Sequence, residues 1–431
     1  MTIFKDILEN EVVPALGCTE PIACAYAAAT AAEQLLPNPV KKMTLNVDPG
    51  TYKNGAAVTV PHSEGGKGNL IAAAMGAFTA HSSTKLEVLQ KVTSNILQKA
   101  ITLVESENVE YSCMEDKREF YVEARVESDD SWARCVLSGG HTNIIVLEKD
   151  GQEIDNGKSS GESDRQDYRS ILKEMSLKDI LGEVVQLDQE TREYLQRGVE
   201  MNLAIAEAGV KTRRTAYQLL QMKESGVMAE DLLYNVKLKV AGAVDARMSG
   251  YPLPVMTSGG SGNQGAVGIL TPYLVGRHQG IDLKRIQESI AITHAINSYI
   301  KCFIGELSVV CGCSMAAGIA VAAAIVYQQC GIDMEKIAFA IDNVIGDLSG
   351  LICDGAKPGC AMKTVTAVDT ALRSGFMAIA GYGLSVDDGI IGTTPENSIR
   401  NLSRIALEGM FQVDPTVIHI LQDKATSHGR A

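Results

Sequence analysis

Residues 307–332 read LSVVCGCSMAAGIAVAAAIVYQQCGI, a charge-free run long enough to span a bilayer. Its content points elsewhere. Cys311, Gly312 and Cys313 stand near its start, and Gln328, Gln329, Cys330 and Gly331 near its end. The purely apolar part, 315–327, is too short to cross. It is rich in Ala, so it predicts a helix packed on all sides by other helices. The neighbouring sequence supplies them. Residues 181–208, 212–222, 229–246, 281–299, 314–329 and 334–344 carry helical periodicity, broken by Gly-rich loops at 258–268 and 346–359.

The first part of the chain reads differently. Residues 21–36 are Ala-rich and helical, and 70–80 form a helix after a Gly-rich turn. Elsewhere apolar residues alternate with polar ones: Met43, Leu45 and Val47, then Phe120, Val122, Ala124 and Val126. A period of two marks half-buried strands. Residues 133–137 and 143–148 read as further strands, with Asp150-Gly151 as a turn signal. The polar stretch 155–167, with Gly and Ser, is the best linker. The expected fold class is therefore α+β. A mixed α+β domain spans 1–165, and a mainly helical domain carrying the site cysteines spans 166–431.

With 431 residues, 45% of them hydrophobic, a large core is available. A net charge of −13 argues against nucleic acid and against an anionic membrane as partners. Lys5, Asp6 and Glu9 interrupt the N-terminus and no apolar leader follows, so a cytoplasmic protein is expected. In that reducing compartment the ten cysteines are thiols or metal ligands rather than disulfides. A homodimer is the expected state for an enzyme of this size.

Three cysteines carry the most chemistry: Cys313 in CGCSMAAG, then Cys353 and Cys360 in LICDGAKPGC. A close pair in a Gly/Pro loop, plus a third thiol upstream, can converge on one metal centre. Three thiolates on a four-iron cluster leave one iron open as a Lewis acid. Neither C-x2-C nor C-x4-C occurs, so zinc ligation and plain burial as small hydrophobes stay open on spacing alone.

Gly17-Cys18-Thr19-Glu20-Pro21 opens the Ala-rich helix, with Thr19 as the N-cap and Pro21 in the first turn. A helix N-terminus stabilises a thiolate, which makes Cys18 a candidate reactive thiol and Glu20 a candidate acid–base group. The alternative is an ordinary cap with an inert thiol. Residues 257–265, TSGGSGNQG, precede a helical run, and backbone N–H groups there can hold an anion. Ser258, Ser261 and Asn263 are its candidate substrate contacts; a simple connecting loop is the alternative. SGNQG also looks like the asparagine loop of pyridoxal-phosphate dehydratases, with Lys239 upstream as the Schiff-base lysine. That fold alternates strands and helices, whereas this region is helical. SGGHTN sets His141, Thr142 and Asn143 between two strands, where the His can bind substrate, move protons or merely be solvated. A second Gly-rich turn with a lysine, HSEGGKGN, lies at 62–69.

Taken together, GCTEP, SGGHTN, SGGSGNQG, CGCSMAAG and LICDGAKPGC, in this order, resemble the L-cysteine desulfidases over nearly the whole chain. The C-terminal half is similar, more distantly, to the iron–sulfur L-serine dehydratases. Their TCDP…PC pattern corresponds to Ile352-Cys353-Asp354 through Cys360, and their TNGAAG loop to Gly262-Asn263-Gln264-Gly265-Ala266. The resemblance implies a four-iron, four-sulfur (4Fe-4S) cluster held by Cys313, Cys353 and Cys360. Cys311, two residues before Cys313, is the alternative third ligand. It implies a catalytic Cys18, as base or transient iron ligand, with Glu20 beside it. Thr19, His141, Thr142, Asn143, Ser258, Ser261 and Asn263 would grip the substrate. That substrate would be L-cysteine, and the products pyruvate, ammonia and hydrogen sulfide. No pyridoxal phosphate is expected, because iron takes its role. In the related serine dehydratases a terminal cysteine can occupy the open iron; this chain ends SHGRA and departs from that pattern. A serine dehydratase and a non-catalytic iron–sulfur or sulfur-binding protein are the rival functions.

Overall fold

A computed structural model describes residues 2–117, 119–154, 161–305 and 307–427 of the chain. The fold is α+β, with a mixed sheet near the N-terminus and helices thereafter. The strands are β1 (Pro14–Leu16), β2 (Lys42–Val47), β3 (Val109–Cys113), β4 (Tyr121–Glu127), β5 (Trp132–Ser138), β6 (Ile144–Lys149), β7 (Gln152–Glu153) and β8 (Pro254–Met256). Six of them form one sheet in the order β3-β2-β4-β5-β6-β7, parallel between β2 and β3 and antiparallel elsewhere. The alternation read at 122–126 is the inner face of β4, where Val122, Ala124 and Val126 are buried. The helix Thr19–Glu33 packs on that face, and the helix Asn69–Thr79 packs beside it. Their Ala side chains let both helices approach closely and be covered in turn.

The remaining pair, β1 and β8, forms a short ribbon that ties the N-terminus to the helical part. Pro14 faces Met256 and Leu16 faces Pro254. The Val13 N–H donates to Thr257 Oγ1 at 2.8 Å, and the Gly260 N–H to the Glu11 carbonyl at 2.9 Å. The helix Ile3–Glu11 accordingly buries its apolar face in the helical core and not against the sheet. One consequence decides the site: the ribbon sets the 17–20 segment beside the 258–264 loop.

In the helical part the helix Ala316–Cys330 is buried throughout except at its last residues. Helices Gly262–His278, Leu283–Ile304, Met334–Leu348 and Cys360–Ile379 enclose it. Among the described residues, no helix is long and apolar enough to cross a membrane. Boundaries differ from the sequence reading at several places, including these three. Residues 181–208 are two helices, Leu177–Val184 and Gln189–Gly209, because the Asp188 carboxylate accepts from the Thr191 N–H at 2.8 Å and starts a new one. The 258–268 loop ends early, so Asn263 and Gln264 fall in the first turn of the helix Gly262–His278. Of the expected linker, 155–160 lies outside the described residues and the rest belongs to the helix Gly161–Glu174.

Candidate active site

A small cavity of about 80 Å³ lies where the two parts meet. Cys18, Thr19, Glu20, Lys53, Asn54 and His141 form one wall. Cys311, Cys313, Cys353 and Cys360 form the other, with Arg247, Ser261, Asn263 and Gln264 between. All ten cysteines of the chain are free thiols.

The first wall is a side-chain network. Cys18 itself, not Thr19, is the N-cap of the helix Thr19–Glu33, with extended backbone at φ −76° and ψ 131°. The Cys18 thiol donates to Glu20 Oε2 at 2.9 Å, and the Thr19 hydroxyl to the same oxygen at 3.2 Å. Asn54 Nδ2 donates to Glu20 Oε1 at 2.9 Å. Asn54 is placed by the helix Pro49–Gly55, whose cap Asp48 accepts from the Thr51 N–H at 3.0 Å and from the β4 Tyr121 N–H at 2.9 Å. Burial pushes the Cys18 thiol well above its ordinary range, the Glu20 charge adds to this, and Arg247 only partly opposes it. Of the two readings, a reactive thiolate or an inert capping thiol, burial favours the protonated thiol at rest. Burial also works to raise Glu20, but His141, the Cys18 hydrogen bond and Arg247 together hold it below the usual carboxylate range. His141 is buried against Phe120, with ring centroids 4.6 Å apart.

The second wall is built from two loops joined by a one-residue bridge between Val310 and Ile352. The Cys311 N–H donates to the Leu351 carbonyl at 2.8 Å and the Cys353 N–H to the Val309 carbonyl at 2.7 Å. Gly355 has φ +95°, and a Cβ there would meet the Lys53 carbonyl oxygen at 2.5 Å, so the loop can lie against the helix Pro49–Gly55 only as glycine. Lys53 Nζ donates to the Cys353 carbonyl at 3.0 Å and pairs with Asp414 at 2.6 Å. Lys363 Nζ donates to the Ile352 carbonyl at 2.7 Å and to Asp354 at 2.5 Å. Burial pushes the Cys353 thiol up, with Lys53 working against it. Ser314 Oγ donates to Cys311 Sγ at 3.6 Å. Among the described residues, no three His, Cys, Asp or Glu side chains converge on a position for one metal ion.

Of the residues singled out by sequence, Cys18, Thr19, Glu20, His141, Ser261, Asn263, Cys313, Cys353 and Cys360 line this cavity. Thr142 and Asn143 line an open cleft of about 1300 Å³ instead, which meets the small cavity at His141. Ser258 lines neither: its hydroxyl is engaged by His294 Nδ1 at 2.9 Å and Asn297 Nδ2 at 3.0 Å. Lys239 pairs with Glu207 and stands outside both, as does the 62–69 turn. Sequence reasoning missed Lys53, Asn54, Arg247, Gln264, Lys301 and Lys363. Asp48-Pro49 is a helix-start signal that could have drawn attention to Lys53 and Asn54. Arg247 carries no local signal at all.

The sequence model of the serine dehydratase alpha chain matches residues 83–419. The chain belongs to the serine dehydratase alpha-chain family. Within this family a UPF0597 protein of Geobacter sulfurreducens is 45% identical over 428 residues, covering 99% of this chain and 100% of its own length. One of Elusimicrobium minutum is 40% identical over 424 residues, covering 98% and 100%. One of Clostridium tetani is 37% identical over 421 residues, covering 97% and 98%. No solved structure matches the chain. The serine dehydratase match contains His141, Arg247 and the cysteine wall but begins after Cys18, Glu20 and Lys53. One wall of the cavity thus belongs to the serine dehydratase pattern, and most of the other precedes it.

Proposed function

We propose that the chain is a lyase converting L-cysteine to pyruvate, ammonia and hydrogen sulfide with a 4Fe-4S cluster. The observation that carries this reading is the meeting of the Cys18–Glu20 pair with four cysteines in one small cavity. Family membership supports elimination chemistry of the dehydratase kind. Cys313, Cys353 and Cys360 would hold the cluster, with Cys311 the alternative to Cys313. The donor set fits such a group. Four thiols line one cavity, and Lys53 and Lys363 stand where they offset thiolate charge. Bound there, the cluster supplies an open iron as a Lewis acid, which makes sulfide a better leaving group.

The chain's own part is proton transfer and grip. Cys18 and Glu20, joined by the 2.9 Å hydrogen bond, are the proposed acid–base pair for the substrate α-proton; the proton rests on Cys18 and the charge on Glu20, so Glu20 is the end of the pair that can accept. Thr19 and Asn54 fix the carboxylate that receives it. Ser261, Asn263 and His141 hold the substrate's polar groups. Thr142 and Asn143 flank the approach to His141, and Ser258 supports the 258–264 loop from behind. Loss of sulfide leaves an aminoacrylate, which takes up water to give pyruvate and ammonia. A reducing cytoplasm suits ten free thiols, and a homodimer remains the proposed state.

The test is anaerobic reconstitution with iron and sulfide, removal of excess sulfide, then sulfide and pyruvate assays on L-cysteine and L-serine. Equal amounts of sulfide and pyruvate from L-cysteine, formed only by the loaded protein, is the expected result. Pyruvate from serine alone would assign an L-serine dehydratase. A formed cluster without turnover would assign a non-catalytic iron–sulfur or sulfur-binding protein.

A further inference from the structure

Arg247 ends the helix Leu232–Met248 and is only 2% exposed. Its Nη1 donates to Asn263 Oδ1 at 2.9 Å. Its Nε and Nη2 have no hydrogen-bond partner among the described residues. A guanidinium cannot shed its charge, so burying it with two donors unmet is costly. The contrast with Lys53 is direct, because that equally buried cation has both Asp414 and the Cys353 carbonyl. Glu20 is near enough for its charge to feel Arg247, but no hydrogen bond joins the two.

The identity of the two unmet atoms matters. Nε and Nη2 share one edge of the guanidinium plane, and their N–H bonds run side by side. That edge is the fork that matches the two oxygens of a carboxylate. Asn263 holds the other end and so fixes the plane. Gly262 lets the guanidinium lie against the start of the helix Gly262–His278, because a Cβ there would collide with Arg247 Nε and Val255 Cγ1. Arg247 lines the same small cavity as Cys18 and Glu20.

We propose that Arg247 anchors the α-carboxylate of a small 2-amino acid, with Nε and Nη2 each donating to one oxygen. The word "amino" rests on the lyase reading above; the carboxylate rests on the fork alone. An acid held there brings its α-carbon into the space shared with Cys18. The positive edge also favours acids over amides and esters of the same shape, so it sets substrate class as well as position.

The experiment measures thermal protection of the reconstituted protein by L-alanine, which has no leaving group, and by L-alaninamide. Wild type, Arg247→Gln and Arg247→Lys are compared, and KM and kcat for L-cysteine are measured on the same preparations. Wild type should be protected by the acid and not by the amide. Arg247→Gln should lose that discrimination, and Arg247→Lys should keep part of it. Arg247→Gln should raise KM by about 10- to 100-fold, the worth of hydrogen bonds to a charged group, and change kcat less. The wild-type comparison needs no variant, so a misfolded Arg247→Gln does not rescue the idea. Equal protection by acid and amide, or by neither, overturns the proposal. If neither L-cysteine nor L-serine reacts yet the acid protects through Arg247, the lyase reading falls and the carboxylate anchor stands. If L-cysteine reacts and Arg247→Gln keeps both its KM and the acid–amide discrimination, the anchor falls and the lyase reading stands.

Discussion

The wall containing Cys18, Glu20 and Asn54 is held by side chains, whereas the wall containing Cys311, Cys313, Cys353 and Cys360 is held by backbone. On the first, the side chains of Cys18, Thr19 and Asn54 donate the hydrogen bonds that position Glu20. On the second, the Val310–Ile352 bridge and its flanking N–H groups set the loops, and the Lys53 and Lys363 ammoniums bind backbone carbonyls rather than the thiols. A side-chain wall is chemically tuned and fragile to substitution. A backbone wall keeps its shape when a sulfur is changed. The two should therefore fail in different ways.

The largest expected effect separates them. Cys353→Ser should lose iron and with it all turnover, while its far-ultraviolet circular dichroism stays that of the wild type. Cys18→Ser should retain iron and lose about 10²- to 10⁴-fold in turnover, the usual worth of a positioned acid–base group. Iron analysis beside the sulfide assay checks both. Loss of iron in Cys18→Ser as well would mean that the walls are not separable.

A smaller effect tests the strut between them. Lys53 lies on the first wall, touches the second through the Cys353 carbonyl, and is neutralised by Asp414 near the start of the helix Val413–Ser427. Asp414→Asn strands a buried ammonium and should cost about 3 kcal/mol, read from urea unfolding. An unchanged midpoint would show that the carbonyl alone suffices.

The smallest effect concerns the support behind the 258–264 loop. Burial holds His294 down to about 3, against roughly 6.5 in an unfolded chain. The unfolded state therefore binds the extra proton first as pH falls. The stabilisation is fully present above about 6.5 and lost progressively below it, amounting to roughly 2 kcal/mol by pH 5. His294→Asn should flatten that limb in urea midpoints taken between pH 5 and 7. Asp245 and Asp342, raised by burial to about 6, slope the other way in both proteins and cancel in the difference. Parallel limbs would show that His294 does not control this window.

Several features were legible because their causes are local. The period of two at Val122, Ala124 and Val126 reports one buried strand face, and the Ala-rich run at 316–328 reports a helix enclosed by helices. The Asp188 cap was equally local and was overlooked in favour of unbroken periodicity. Thr19 was a fair choice of cap by residue type, yet the chain turns one residue earlier and frees its hydroxyl for Glu20. Ser258, Thr142 and Asn143 neighbour cavity-lining residues in sequence yet lie outside the small cavity. A motif fixes neighbours in sequence, not the direction in which each side chain points.

By itself the sequence determined the α+β class, the helical enclosure of 316–328, and the cysteine, glycine and histidine motifs. These follow from periodicity, turn chemistry and residue type, all of which act over a few positions. Tertiary structure alone decided that GCTEP faces the cysteine loops, through the β1–β8 ribbon. It also decided that Cys18 rests protonated, that Lys53 is neutralised and that two donors of the buried Arg247 are left unmet. Those outcomes depend on desolvation and on charges brought from distant parts of the chain, and neither exists until the chain is folded.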